Sequence, residues 1–265
     1  MPPGAQAVPC PPPIERVVDN DFIAERISPE RTHLWLVGGV KTGSTWLTSL
    51  LSHLLGWQTN HLVNGYHRRE QEVDLRPLLM YPDRNLFSIQ QHCRFSEPTR
   101  EFINKFRVRV VLQGRNLLDS LVSLRDHLRT KETATPLLFF DEALGDLPAE
   151  RLTDMVVHFA TPWYLNFYVS WLTARQRGEV DFLWVDYESL LADPPATLRR
   201  ILDYLGQPRT PSQIEAAIRQ AAAGPTRLNV GRTGRGQSAL SEQNKAHVRY
   251  LRSFYPHVDL SAIGL

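Results

Sequence analysis

The residues with the clearest chemical content lie in one short run, Leu36-Val-Gly-Gly-Val-Lys-Thr-Gly-Ser-Thr-Trp46. An apolar stretch enters a glycine-rich turn closed by Ser and Thr, and a helical pattern follows. In such an arrangement backbone N–H groups and a helix N-terminus converge, which is how a chain receives a phosphate or sulfate. Gly38-x4-Gly43-Ser44-Thr45 nearly reproduces the phosphate loop of nucleoside triphosphatases. However, Ser44 stands where the lysine for the β- and γ-phosphates belongs, and Lys41 lies inside the loop, three residues earlier. The run points to an anion site and weakens a triphosphatase reading. An ordinary turn with Ser/Thr capping is the alternative that the run alone leaves open.

Such a loop needs a strand before it and a helix after it. His33–Val37, Val108–Leu112 and Phe182–Val185 are short apolar runs ending at turn-forming or polar residues. They read as buried parallel strands, with Leu86–Gln90 a weaker candidate. Trp46, Leu47, Leu50, Leu51, Leu54 and Leu55 recur at three- and four-residue intervals and mark one face of a helix. Further on, Asp193 suits an N-cap, Pro194 the first helical position and Gly206 a C-terminal stop. Between them runs the stripe Leu198, Ile201, Leu202 and Leu205. Strand–helix alternation predicts a single α/β domain over 31–265, with a central, mostly parallel sheet flanked by helices. A flexible Pro-rich segment is expected over 1–30. The long, mixed stretches 60–85 and 130–155 are suited to covering a site.

Composition limits the function classes. Thirty basic against 28 acidic residues leave a formal charge of +2. That balance provides no global field for a polybasic binder, so any anion must be held by local charge. With 42% hydrophobic and 22% charged residues, wholesale disorder is excluded. Two cysteines, Cys10 and Cys93, make no disulfide framework and fit a reducing, cytoplasmic setting. The start, MPPGAQAVPCPPP, has neither an early basic residue nor an apolar core, so a secretory signal is not expected. Met155–Ala174 is 20 residues long without a formal charge, enough to span a bilayer. Its His158, Thr161, Pro162, Asn166, Ser170 and Thr173 argue instead for an aromatic-rich buried helix.

Lys41-Thr-Gly-Ser-Thr-Trp46 resembles the Lys-Ser-Gly-Thr-Thr-Trp loop of the P-loop sulfotransferases, which use 3′-phosphoadenosine 5′-phosphosulfate (PAPS). Val40 replaces the proline common before that lysine. The resemblance implies that Lys41, Thr42, Gly43, Ser44 and Thr45 hold the 5′-phosphosulfate and that Trp46 lies against adenine. Gly114-Arg115-Asn-Leu-Leu-Asp119-Ser-Leu-Val-Ser123 resembles the family's Arg-Asn-Pro-x-Asp-x-x-x-Ser signature for the 3′-phosphate, with Leu117 in place of Pro. Arg115 would supply a planar, permanent cation, and Ser123 a hydroxyl just over two helical turns away. A plain i,i+4 pair between Arg115 and Asp119 is the alternative.

Arg232-Thr233-Gly234 resembles the Arg-Lys-Gly that completes that phosphate site, with Arg235 a further candidate. The family's following Gly-x-Trp-Lys is absent, and a solvated Arg/Gly loop is the alternative. Phe182 to Pro194 resembles the family's strand plus Tyr-Glu-Asp-Leu-x-x-Asp-Pro segment and would bring Tyr187 towards adenine. Pro162-Trp163-x-x-Asn166-x-x-x-x-Trp171 resembles its aromatic helix.

Sulfuryl transfer to a hydroxyl needs a base for the acceptor proton, and a histidine near neutrality suits that task. His92 resembles the family's strand-end histidine, with Gln91 where the family has lysine. His53, His61 and His67 compete for the role, and Cys93 reads as a small buried residue. The implied reaction is direct in-line transfer from PAPS to a hydroxyl, or an amine, of a small-molecule, carbohydrate or lipid acceptor. His92 would take the proton, while Lys41 and the loop amides stabilise developing charge. No metal, nucleic-acid partner or membrane span is expected. A P-loop kinase-like enzyme and a non-catalytic nucleotide-binding protein remain as other readings. Acceptor identity and oligomeric state are not encoded in any pattern.

Overall fold

The apolar runs become five strands in one sheet: β1 (His33–Gly38), β2 (Gln58–Asn60), β3 (Leu86–Gln91), β4 (Val108–Gly114) and β5 (Leu183–Asp186). A computed structural model describes residues 20–63, 73–130, 137–138, 141–224 and 232–265. Cys10, His67, most of 130–140 and residues 229–231 lie outside the described residues. The strand order is β2-β3-β1-β4-β5, and every neighbouring pair is parallel.

Alternation along β1 divides the core. Leu34 and Leu36 belong to one buried cluster, and Trp35 and Val37 to the other. Helices α2 (Ser44–Leu55), α8 (Pro194–Leu205) and α9 (Pro211–Ala223) supply Leu47, Leu50, Leu51, Leu198, Ile201 and Ile214 to the first cluster. The opposite cluster takes Leu121 and Val122 from α4 (Leu117–Leu128), and Tyr164 and Trp171 from α6 (Ala149–Gln176). Each such aliphatic or aromatic side chain contributes about 1.5–3 kcal/mol when removed from water. Shorter elements complete the chain: α1 (Asn20–Ala24), α3 (Glu97–Lys105), α5 (Glu142–Gly145), α7 (Tyr187–Ala192), α10 (Arg235–Ala239) and α11 (Glu242–Arg252).

The local helix signals read from sequence are realised. Asp193 accepts from the Ala196 amide at 2.9 Å, Pro194 opens α8, and Gly206 closes it with φ 65°. The uncharged run 155–174 lies within the 28-residue α6, which carries Pro162 internally. Its Val156, Ala160, Tyr164, Phe167 and Trp171 are buried at three- and four-residue spacing, so the run packs on the sheet. Among the described residues, no helix is long and apolar enough to cross a membrane. Two features differ from the sequence reading. The edge strand β2, Gln-Thr-Asn, carries no apolar run. Ile23 of α1 is 2% exposed within the core, so packed structure begins before residue 31.

Candidate active site

In a parallel sheet all carboxyl ends lie along one edge, and neighbouring strands are about 4.8 Å apart. Here β1 ends at Gly38, β3 at Gln91, β4 at Gly114 and β5 at Asp186. The residues that follow are the Gly39–Gly43 turn, His92, Arg115 and Tyr187. Strand order places them side by side in the sequence His92, turn, Arg115, Tyr187. This edge is where open parallel sheets form ligand crevices.

Side chains hold four successive carbonyls of the loop. His92 Nδ1 lies 2.7 Å from Gly38 O, and Thr42 Oγ1 donates to Gly39 O at 2.8 Å. Tyr164 Oη donates to Val40 O at 2.6 Å, and Arg115 Nη1 donates to Lys41 O at 3.0 Å. In a trans peptide, N–H points opposite to the C=O it shares a plane with. The N–H groups of Gly39, Val40, Lys41 and Thr42 are therefore turned away from these anchors. Lys41 has φ 61° and Gly43 φ 84°, both left-handed, which bends the turn into a concave row of amides. For Lys41 that conformation costs about 1 kcal/mol or more, of the kind stored at functional sites.

Helix α2 begins directly after the turn. Its N-cap, Gly43, provides no side-chain cap, so the positive helix end adds to the amide row. A Cβ on Gly43 would come 2.5 Å from Tyr187 Cδ2, and one on Gly39 would come 2.7 Å from Tyr168 Oη. Neither position has room for a side chain. Burial raises the Tyr164 and Tyr168 hydroxyls above their ordinary range. Tyr164 stays protonated and keeps donating to the loop. Thr42 and Ser44 are buried, Trp46 is half-buried against the first core cluster, and Thr45 is exposed.

Arg115 bridges the loop and a distant segment. Its Nη1 holds Lys41 O, its Nη2 donates to Arg232 O at 3.3 Å, and its guanidinium lies 4.4 Å above the Tyr187 ring. The residue is 6% exposed, yet among the described residues its Nε–H has no hydrogen-bond partner. An orphan donor on a buried cation calls for an acceptor beyond those residues, and a bound anion is one such acceptor. The next residue, Asn116, donates its amide to Glu188 Oε1 at 3.1 Å, which anchors Arg115 to α7. Tyr187, 3% exposed, packs beneath the loop and the guanidinium. Ser123 is buried on α4, two turns beyond Asn116.

The simple Arg115–Asp119 pairing does not form. Asp119 instead accepts the amides of Gly234 and Gly236, each at 2.7 Å. Arg232, Thr233 and Gly234 are exposed at this junction. Arg235 is committed elsewhere: it pairs with Asp126, which Arg125 also holds. Burial pushes the Asp126 carboxyl up, but hydrogen bonds from Arg235 and Arg125 outweigh it and hold the group below its usual range.

His92 is 8% exposed and follows β3, the strand beside β1. A carbonyl only accepts, so its contact with Gly38 O places the proton on Nδ1. In the neutral ring the basic lone pair is then on Nε2, as a general base requires. The edge of Trp163 lies beside the imidazole, with ring centroids 6.4 Å apart. His53 is exposed in the last turn of α2, about 13 Å along the helix from the loop. His61 follows β2, two strands from β1. Cys93 is 1% exposed and directs its thiol at Arg94 O.

Tyr164 and Tyr168 had no distinguishing sequence signal; Glu188 and Asp119 lie within the recognised motifs, but their contacts with the Asn116 amide and with the Gly234 and Gly236 amides do not follow from spacing. The tyrosines look like core residues of an aromatic helix. Among the described residues, no group of three or more His, Cys, Asp or Glu is placed to hold a metal ion.

Comparison with known proteins adds an independent line. A family model described as "Sulfotransferase domain" matches residues 31–229. Flavonol 3-sulfotransferase of Flaveria bidentis is 22% identical over 219 residues, covering 75% of this chain and 66% of that relative, just under two thirds of its length. Among solved structures, mouse sulfotransferase SULT7A1 complexed with PAP aligns with TM-score 0.65 at 14% identity, over 91% of this chain and 90% of its own. Retinol dehydratase in complex with androsterone and inactive cofactor PAP aligns with TM-score 0.58 at 16% identity, over 88% and 83%. At such identities the structural likenesses establish the fold.

Proposed function

The chain belongs to the sulfotransferase domain family, and from that premise we propose that it transfers the sulfuryl group of PAPS to a hydroxyl of a small-molecule acceptor. The observation that carries the reading is the bridge made by Arg115. One buried guanidinium ties Lys41 O to Arg232 O and keeps beside them an Nε–H that has no partner among the described residues. A ligand with anionic groups at two ends fits that bridge better than a single phosphate chain does.

The residues fit PAPS. Gly39 and Gly43 let Tyr168 and Tyr187 pack directly against the loop, the amide row and α2 N-terminus favour an anion, and Arg115 has a donor to give. When bound, PAPS supplies a sulfuryl group on a phosphate leaving group. The loop from Lys41 to Thr45 holds the 5′-phosphosulfate, and Trp46 borders adenine. Tyr187 acts from beneath, supporting Gly43 and the Arg115 guanidinium. Arg115, Ser123 and the Arg232–Gly234 segment serve the 3′-phosphate.

His92 Nε2 takes the acceptor proton as the new O–S bond forms and the bond from sulfur to the 5′-phosphate oxygen breaks. The amides and Lys41 neutralise charge on the departing phosphate, and because they are already oriented they require little reorganisation. The products are a sulfated acceptor and adenosine 3′,5′-bisphosphate. Retinol and androsterone accompany related structures. An apolar hydroxyl compound, a lipid alcohol included, is the acceptor class we place first, ahead of carbohydrate. A reducing, cytoplasmic setting suits the buried Cys93, which forms no disulfide among the described residues.

Thermal unfolding tests the nucleotide assignment. Adenosine 3′,5′-bisphosphate at a hundred times its Kd stabilises a one-site protein by about 2.7 kcal/mol. We expect a larger shift with this ligand than with ATP-Mg²⁺; the reverse order overturns the reading in favour of a kinase-like enzyme. Transfer of ³⁵S from PAPS to a panel of apolar and sugar hydroxyls then reads the acceptor class.

A further inference from the structure

We propose that Asp119 is a positioning residue that latches the Arg232–Gly236 segment over the 3′-phosphate end of the nucleotide. The inference rests on the PAPS reading but concerns a group that reading leaves without a task. Asp119 lies in the first turn of α4 and is 2% exposed, where an ionised carboxylate needs compensation. It has two strong partners. Oδ2 accepts the Gly234 amide and Oδ1 the Gly236 amide, both at 2.7 Å and from 115 and 117 residues away. The adjacent helix N-terminus favours the same negative charge.

The contact is close along its length. A Cβ on Gly236 would meet Leu118 Cβ at 2.4 Å and Asp119 N at 2.8 Å, so the segment rests directly on the first turn of α4. Gly234 takes φ 77° as it enters α10. Two residues earlier, Arg232 O receives Arg115 Nη2. Asp119 therefore fixes where the chain passes Arg115, and with it where the exposed Arg232 side chain can reach. Both Asp119 oxygens are engaged by amides of the segment. Its effect on a ligand runs through the segment it holds.

Adenosine 3′,5′-bisphosphate and adenosine 5′-monophosphate differ only in the 3′-phosphate, so their affinities, measured by calorimetry, isolate that end. In the wild-type protein we expect the bisphosphate to bind more tightly. Asp119→Asn leaves one acceptor and turns an NH2 towards an amide N–H. Its bisphosphate affinity should fall about ten- to a hundred-fold, while monophosphate affinity stays within about three-fold. With PAPS, KM should rise by a similar factor and kcat at saturating donor should hold.

Gly236→Ala pushes the same backbone off α4 without altering charge and should give the same pattern, so it carries the test if Asp119→Asn fails to fold. A wild-type protein with no preference for the bisphosphate removes the PAPS reading and the latch together. A preference that both variants keep, or equal loss of both ligands, overturns the latch alone.

Discussion

His92 Nδ1 and the carbonyl oxygen of Gly38 are 2.7 Å apart, so the histidine that ends β3 and the glycine that ends β1 form one hydrogen-bonded unit. The bond does two things at once. It sets the imidazole tautomer, and it turns the first loop peptide so that the next N–H faces away from β3. His92, the proposed base, and the glycine-rich loop are thereby fixed relative to each other by neighbouring strands.

Two substitutions separate those roles. Asparagine keeps a donor for Gly38 O but has no titratable nitrogen. His92→Asn should retain bisphosphate binding within a few-fold and lose about 10²–10⁴-fold in ³⁵S turnover. His92→Ala should show the same loss of turnover and weaker binding as well. Full turnover in His92→Asn, with an acceptor the wild-type protein uses, would exclude His92 as the base.

Packing behind the loop can be tested through Gly39 and Tyr168. Gly39→Ala places a methyl 2.7 Å from Tyr168 Oη and 3.1 Å from Thr42 Cγ2. Overpacking of this kind costs about 1–3 kcal/mol, and here it should also weaken bisphosphate binding about ten-fold. Tyr168→Phe removes the hydroxyl and leaves ring carbon Cζ at 3.3 Å. In the double variant at least half of the loss should return. Additive losses would place the clash elsewhere.

Acid sensitivity has a specific source in His33. Burial first, and the Arg31 charge second, lower its pKa to about 3. It is 0% exposed, with Nε2 2.6 Å from Ser88 Oγ, which in turn donates to Asn60 Oδ1 at 2.7 Å. In the unfolded chain a histidine titrates near 6.5. Between those values the unfolded state binds a proton that the folded state refuses. Stability is therefore complete above about pH 6.5 and falls as pH drops towards 3, by up to about 1.4 kcal/mol per unit. Urea titrations at pH 7, 6 and 5 should show this slope, and His33→Gln should flatten it whatever its own stability. An unchanged slope would assign the acid sensitivity to other groups.

How much of this was readable in the sequence depends on the range of each signal. The buried strands β1, β3, β4 and β5 announce themselves as short apolar runs because both faces of the sheet are covered. Strand β2 does not, since Gln58–Asn60 lies at the sheet edge and needs no apolar sequence there. The loop is legible because glycine, serine and threonine at those spacings are local requirements of the backbone.

What holds the loop is not legible. Tyr164 acts on Val40 across 124 positions, and from sequence it is one more aromatic on a buried helix. The charges show the same limit. Arg115 and Asp119 have the spacing of a helical ion pair, but each is taken by backbone groups from elsewhere in the chain. Arg235, a candidate anion ligand from its place in the sequence, spends its charge on Asp126.

The four carbonyl anchors of the loop also have a consequence for the order in which the protein is made. They come from residues 42, 92, 115 and 164, and the last of these is on α6. A nascent chain that has released the glycine-rich turn, its strand and its helix already contains the whole recognisable motif. Its Val40 peptide gains its anchor only once α6 has emerged and docked on the sheet. Capture of the nucleotide by a growing chain would therefore mark the moment at which long-range order is reached, well after the motif itself has been synthesised.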